Sequence, residues 1–260
     1  MNDTILRYMI AVILAGGLGK RMMSEIPKVL HIIDGRPMLV HVICQARMLG
    51  PEKIYIVVGK YQQLIATALE RYGCLKDVSF IQQETPKGTG HALQCCLPEL
   101  EKHSSQVQVL VLSGDVPFIR ANTLSTLVDS APKVRFLTTH QENPSGYGRV
   151  LLNTNGYVER IIEEKDCNEA QRGIQKINGG IYCFRNEVLL EYLNHLSNSN
   201  AQEEYYLTDI VGIASSNGIC VETYELPQEL QFELTGINTK EELDACNKRI
   251  ESHLDIRSML

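Results

Sequence analysis

The 260-residue chain is 44% hydrophobic, enough for one large globular domain or two small ones, and its 31 acidic residues outnumber 25 basic ones. A net charge of −6 excludes a global basic field for nucleic acid or acidic lipid, so any polyanion must be met by a local basic site. No apolar run approaches the length of a membrane span, and the N-terminal MNDTILRYMIAVILAGG lacks the basic start of a signal peptide, which predicts a soluble, cytoplasmic protein.

In chain order, YMIAVILA reads as a buried strand that breaks into the glycines and basic residues of AGGLGKRM. PMLVHVICQARML follows as an amphipathic helix, KIYIVVG as a second strand and LIATALERY as a helix. VSFIQQ is a third strand, HALQCCLPELEK a helix, VQVLVLSGDVP a fourth strand that delivers Asp115, and NTLSTLVDSA a helix capped by Asn122. This alternation means βαβ units, with parallel strands covered by helices on both faces: a Rossmann-like, doubly wound α/β sheet. After about Ser130 come shorter strands joined by turns, RFLTTHQ, GRVLLN, GYVERIIEE and KINGGIYCF, which suggest a mixed region folded over one edge. KEELDACNKRIESHL is amphipathic and predicts a closing helix. No linker, internal repeat or low-complexity tract interrupts the chain, so the expectation is one domain with a smaller lobe.

Eight cysteines include no CxxC pair and several sit in apolar segments such as IYCF, which predicts reduced core thiols. The seven histidines include no HExxH, and no His/Cys spacing fits zinc; a carboxylate-bound magnesium stays open.

In doubly wound sheets, ligands sit at the carboxyl ends of the strands, where a glycine-rich loop lets backbone N–H groups approach phosphate oxygens. AGGLGKRM lies at that place, although neither GxGxxG nor GxxxxGK[ST] can be laid on it. On loop chemistry alone, a glycine turn with a solvated basic pair is an equally good reading. The continuation SEIPKVLHIIDGRPML adds Pro27 and Lys28 after Arg21, on a loop long enough to wrap a triphosphate.

LAGGLGKRM followed by PKVL, then QETPKGTGHA, GDVP, GYGR, INGGI and NAQEEYYLTD in that order, resembles the sugar-phosphate nucleotidyltransferases. Within them it is most similar, over roughly residues 9–250, to the uridyltransferase half of the bacterial bifunctional N-acetylglucosamine-1-phosphate uridyltransferases. The resemblance implies the nucleotide-diphospho-sugar transferase fold and attack by a sugar 1-phosphate oxygen on the α-phosphorus of UTP. UTP and N-acetylglucosamine 1-phosphate would be the partners, UDP-N-acetylglucosamine and pyrophosphate the products, and Mg2+ the cofactor. It also implies a nucleotide-binding half over about 8–130, a sugar-binding half over about 131–238 and a closing helix over about 239–254.

Residue by residue, the resemblance implies that Leu14, Ala15, Gly16 and Gly17 wrap the nucleotide and that Arg21 and Lys28 neutralise phosphate charge as catalytic groups. Gln83, Gly88 and Thr89 would contact the nucleotide, the Gln83 amide donating to a uracil carbonyl and accepting from the ring N3–H. Asp115 and Asn238 would hold the metal. Gly148, Glu163 and Asn178 match sugar contacts, and Tyr206 and Thr208 lie in the same sugar-contacting stretch. Six of these residues also have a local reading: Thr89 and Asn238 as helix caps, Asp115 as a turn-forming residue before Val116 and Pro117, Arg21 and Lys28 as a solvated pair, and Glu163 as half of a solvated acidic pair with Glu164.

The chain departs from the family pattern at Lys20, where Thr or Ser is usual, at Ser113, where Tyr is common, and at Gly179, where Thr is usual. Smaller side chains at 113 and 179 would loosen the sugar pocket. Hexapeptide repeats of a left-handed β-helix are absent from this sequence, so acetyltransfer is not expected. The competing readings are a glucose- or deoxythymidine-type nucleotidyltransferase and a catalytically silent sugar-nucleotide sensor. Arg21, Lys28 and Asp115 argue against the silent one.

Overall fold

The computed structural model describes residues 8–17 and 19–252, with Lys20 and Ser252 described in their backbone alone. Strand β1 (Met9–Leu14) is buried along nearly its whole length, as expected of a central parallel strand with β-branched residues on both faces. A short hairpin, β2 (Ile32–Ile33) and β3 (Arg36–Pro37), leads into α1 (Met38–Arg47), β4 (Lys53–Val58), α2 (Gln62–Arg71) and β5 (Val78–Gln82). Then come α3 (Thr89–Gln94), α4 (Leu97–Leu100), β6 (Gln108–Ser113), α5 (Ala121–Leu127) and β7 (Val134–His140). The remainder comprises β8 (Arg149–Leu152), β9 (Val158–Ile162), α6 (Glu169–Arg172), β10 (Lys176–Arg185), α7 (Asn186–Tyr192), α8 (Asp209–Ser216), β11 (Val221–Glu225) and α9 (Lys240–Ser252).

The main sheet runs β11-β7-β10-β6-β1-β4-β5. β10 is antiparallel to both its neighbours and the other adjacent pairs are parallel. Alternation along β1 divides the core. Ala11 and Ile13 pack with Val40, Ile43 and Leu69 on one face, and Ile10 and Val12 with Leu93, Val109 and Leu189 on the other. A third cluster joins Met22, Ile33, Met38 and Phe118 to Ile237, Leu243, Cys246 and Ile250, so the closing helix α9 is anchored beside the basic loop. Residues 253 and 254 of that expected helix lie outside the described residues.

The strands after Ser130 do not fold over an edge. β7, β10 and β11 extend the same sheet beyond β6, and only the β8–β9 hairpin branches away, through the Ile177–Arg149 pairing. The cause is the ten-residue β10, which pairs with β6 through Tyr182–Arg185 while its other edge pairs with β7. Its register against β7 shifts between Asn178 and Tyr182, a bulge that Gly180 accommodates at φ +72°.

Two local expectations change. Asn122 lies inside α5, and the helix start at Arg120 has no side-chain cap; the Ala121 amide instead donates to Gln45 Oε1 at 2.8 Å, a tertiary contact replacing a local one. The helix expected over HALQCCLPELEK is split at Cys95 and Cys96 into α3 and α4, with Pro98 in the first turn of α4. All eight cysteines are unpaired. Among the described residues, no helix is long and apolar enough to cross a membrane.

Candidate active site

The carboxyl ends of β1, β5 and β6 converge on a cavity of about 530 Å³. Leu14, Ala15, Gly16, Gly17, Gln83, Gly88 and Thr89 all line it, together with Lys28, Ser113 and Asp115. The loop leaves the sheet at Ala15, whose amide still donates to Val57 O at 2.8 Å. Gly19 has φ +57°, and a Cβ there would lie 2.9 Å from that of Lys28, so a glycine is what lets the loop lie against Lys28. Leu18 and the Lys20 side chain lie outside the described residues.

Gln83 follows β5 and is 4% exposed. Its backbone amide donates to Val58 O at 2.8 Å. Nε2 donates to Gly88 O at 3.1 Å and lies 3.0 Å from His91 Nδ1. Both contacts of the Gln83 side-chain amide are thus made by Nε2, and Oε1 is the atom left without a protein partner among them. Gly88 has φ +103°, and a Cβ there would come within 2.5 Å of Tyr205 O. Gly90 N donates to that carbonyl at 2.7 Å, docking the GTG turn on the EEYY segment. Thr89 is not the helix cap: Gly88 occupies that position, and Thr89 Oγ1 accepts from Leu207 N at 3.1 Å.

Lys28 begins a short 3-10 turn, Lys28–Leu30, and its Nζ donates to Asp115 Oδ2 and, at 3.0 Å, to Asn238 Oδ1. Arg21 Nη2 donates to the same Asn238 oxygen at 3.2 Å. The segments carrying Asp115 and Asn238 are tied by Ile237 N donating to Asp115 O at 3.0 Å. Asn238 does not cap α9. Thr239 does so, its Oγ1 accepting from Glu242 N at 3.2 Å while Glu242 Oε2 accepts from Thr239 N at 3.1 Å and Asn238 N at 2.6 Å. This capping box leaves Asn238 Oδ1 to the two basic residues.

One carboxylate and one amide oxygen thus converge on a single cationic group. Hard oxygen donors of this kind suit magnesium, which takes few protein ligands and completes its shell with water and phosphate oxygens. Among the described residues, no group of three or more His, Cys, Asp or Glu could hold a metal.

Gly148, Glu163, Asn178 and Thr208, none of which lines that cavity, come together as a second group. Asn178 N donates to Gly148 O at 2.9 Å, Thr208 Oγ1 donates to Glu163 Oε1 at 2.8 Å, and a Cβ on Gly148 would lie 3.7 Å from that carboxylate oxygen. Burial pushes the Glu163 carboxyl above its ordinary range; the Thr208 hydrogen bond opposes this, and Asp209, Asp166 and Glu204 add to it. Glu163 and Glu164 are no solvated pair, because Glu164 turns to the buried Arg149 at 2.6 Å. Tyr206 is buried, and its hydroxyl engages Gln202 Nε2 at 3.0 Å rather than this group; burial pushes that phenol up to about 12.

Ser113 lines the cavity, whereas the side chain missing at Gly179 would point at Leu137 O (3.0 Å) and Leu234 Cδ1 (2.8 Å). The glycine at 179 therefore relieves packing behind the bulge and does not widen the pocket. Pro86 and Glu204 also line the cavity, and His91 braces Gln83. The sequence singled out none of the three. All three lie within quoted motifs, but only their spatial neighbours distinguish them.

The nucleotidyl transferase family model matches residues 10–225. A protein of Acanthamoeba polyphaga mimivirus named "Probable UDP-N-acetylglucosamine pyrophosphorylase" is 38% identical over 239 residues, covering 89% of this chain and 92% of its own length. The bifunctional protein GlmU of Cupriavidus pinatubonensis is 44% identical over 234 residues, and the matched region is 89% of this chain but 50% of that protein. The chain thus spans about half the length of the bifunctional relative. A solved UDP-glucose pyrophosphorylase in complex with UDP-glucose shares the fold at 17% identity, with a TM-score of 0.72 over 95% of this chain and 100% of that one. With a family match across both halves of the sheet and relatives near 40% identity, the chain belongs to the nucleotidyl transferase family.

Proposed function

We propose that the chain joins UTP to N-acetylglucosamine 1-phosphate, giving UDP-N-acetylglucosamine and pyrophosphate. A phosphate oxygen of the sugar 1-phosphate forms the new bond to the α-phosphorus of UTP. The bond from that phosphorus to the α–β bridging oxygen breaks, and pyrophosphate leaves with the electron pair. The nucleophile is already an anion, so no general base is needed and the protein's task is alignment and charge neutralisation.

The observation that carries this reading is the meeting of Arg21, Lys28, Asp115 and Asn238 beside a glycine loop and a buried Gln83. Loop amides around Ala15, Gly16 and Gly17 would receive phosphate oxygens. Asp115 and Asn238 would hold magnesium, which when bound offsets the charge of the phosphates. Lys28 and Arg21 would turn from those two oxygens to the phosphates, Arg21 opposing charge that builds on pyrophosphate. Gln83 Oε1 would accept from uracil N3–H, beside Gly88 and Thr89. Gly148, Glu163, Asn178 and Thr208 would meet sugar hydroxyls and the acetamide, with Tyr206 supporting that wall. The eight unpaired thiols support a cytoplasmic setting.

The similarity to the mimivirus protein supports N-acetylglucosamine over glucose as the sugar. The test is pyrophosphate release from UTP, CTP or dTTP with N-acetylglucosamine 1-phosphate or glucose 1-phosphate and magnesium. Highest kcat/KM for UTP with the N-acetylated sugar is expected. Preference for glucose 1-phosphate or dTTP would overturn the substrate assignment, and absence of release with every pair would overturn the reaction.

A further inference from the structure

We propose that His91 fixes the amide orientation of Gln83 and thereby sets a preference for uracil over cytosine, an inference that rests on reading this cavity as a nucleotide site. A backbone carbonyl only accepts, so the group 3.1 Å from Gly88 O is the Gln83 NH₂. Its second proton then needs an acceptor, and His91 Nδ1 stands 3.0 Å away. The imidazole supplies that acceptor only as the neutral ring protonated at Nε2. Burial and the nearby Lys87 charge both hold the proton affinity of the His91 ring below the ordinary histidine value, which favours that form.

With both amide protons engaged, Oε1 is the edge left for a ligand. Among the described residues nothing donates to it, and it faces Gly16, where an added Cβ would lie 3.0 Å away. An acceptor held there matches the N3–H of uracil and opposes the N3 lone pair of cytosine. Turning the amide over would set Oε1 against both Gly88 O and Nδ1, so each contact reinforces the other. The remaining neighbours of the ring are compatible with a fixed neutral imidazole: Cys95 Sγ lies 4.0 Å from Nδ1, and the Tyr205 ring centroid is 6.2 Å from that of His91. His91 is thus a positioning residue that acts through Gln83.

The test measures UTP and CTP dissociation constants by calorimetry, with magnesium, for the full chain and for His91→Phe and His91→Asn. Phenylalanine keeps a ring against Tyr205 but offers no acceptor, with His91→Leu as the smaller alternative should that ring prevent folding. Asparagine restores an acceptor at about the reach of Nδ1. The ratio of UTP to CTP affinity should fall about fivefold in His91→Phe, the size of one neutral hydrogen bond, through weaker UTP binding, and return towards wild type in His91→Asn. A merely structural role would weaken both nucleotides together. An unchanged ratio in the apolar variant, an equal loss for both nucleotides, or failure of asparagine to restore the ratio overturns the proposal. Binding is the readout, so the two readings separate: the expected ratios without pyrophosphate release overturn only the reaction proposed above, whereas a wild-type chain that binds neither nucleotide overturns both.

Discussion

Asp115 and Asn238 are 123 positions apart, yet their side-chain oxygens share the Lys28 ammonium, with Arg21 on the same Asn238 oxygen. Neutral asparagine at 115 keeps the shape but removes the charge that a divalent cation and Lys28 both need. Asp115→Asn should therefore cut turnover by about two orders of magnitude, the scale of losing one strong electrostatic stabiliser. Turnover near wild type at saturating magnesium would remove Asp115 from the site. Arg21 differs, because its proposed partner charge grows only as pyrophosphate departs. Arg21→Ala should lower kcat more than it raises the KM for sugar phosphate, and an effect confined to that KM would exclude this role. Asp115 was legible from sequence because an apolar run delivers a carboxylate to a strand end. The local reading of Asn238 as a cap failed because Thr239 and Glu242 form the capping box themselves.

The GTG turn, α3 and the EEYY segment behave as one element. Gly88 and Gly90 admit the Tyr205 carbonyl and its neighbours at distances that leave no room for a Cβ, and Leu207 N is satisfied by Thr89 Oγ1. Gly88→Ala adds a Cβ at φ +103° and 2.5 Å from Tyr205 O, so it combines backbone strain with a clash. Strain alone costs roughly 1–3 kcal/mol. The expected outcome is a Tm at least about 2 °C lower together with weaker UTP binding, measured by thermal unfolding and calorimetry. Unaltered UTP affinity with a lowered Tm would show that the turn supports the fold but not the nucleotide. At this scale the βαβ order was readable from periodicity. The β10 bulge was not, because it answers contacts of Gly179 with Leu137 and Leu234 that no local pattern encodes.

Across the whole molecule, the branch β8–β9 and the start of α8 meet to bury one carboxyl, Glu163, against Thr208. Its folded pKa is raised, so the native state holds a proton that the unfolded chain releases at ordinary glutamate values. That contribution to stability is full below the unfolded pKa and is lost as pH rises through the folded one. Glu163→Gln removes the titration while keeping an oxygen to accept from Thr208. The Tm of the variant relative to wild type should therefore rise from pH 4 to pH 8, while binding of the sugar phosphate weakens. A Tm difference that does not vary with pH would show that Glu163 titrates as in the unfolded chain.

The alternation of β-branched runs with amphipathic segments determined the doubly wound sheet, because parallel strands covered on both faces must be continuously apolar. Ordered motifs in the same sequence determined the family and named many of the residues that line the cavity, though not Pro86 or Glu204. Pairing between distant strands was left to the tertiary structure: β10 joins β6 to β7 because its edges match theirs, which a chain read locally does not reveal. The same holds for the side-chain partners of the site. Which atom of Gln83 faces the cavity depends on Gly88 O and His91 Nδ1, and hydrogen-bond direction is decided only when donors and acceptors are brought within reach of each other.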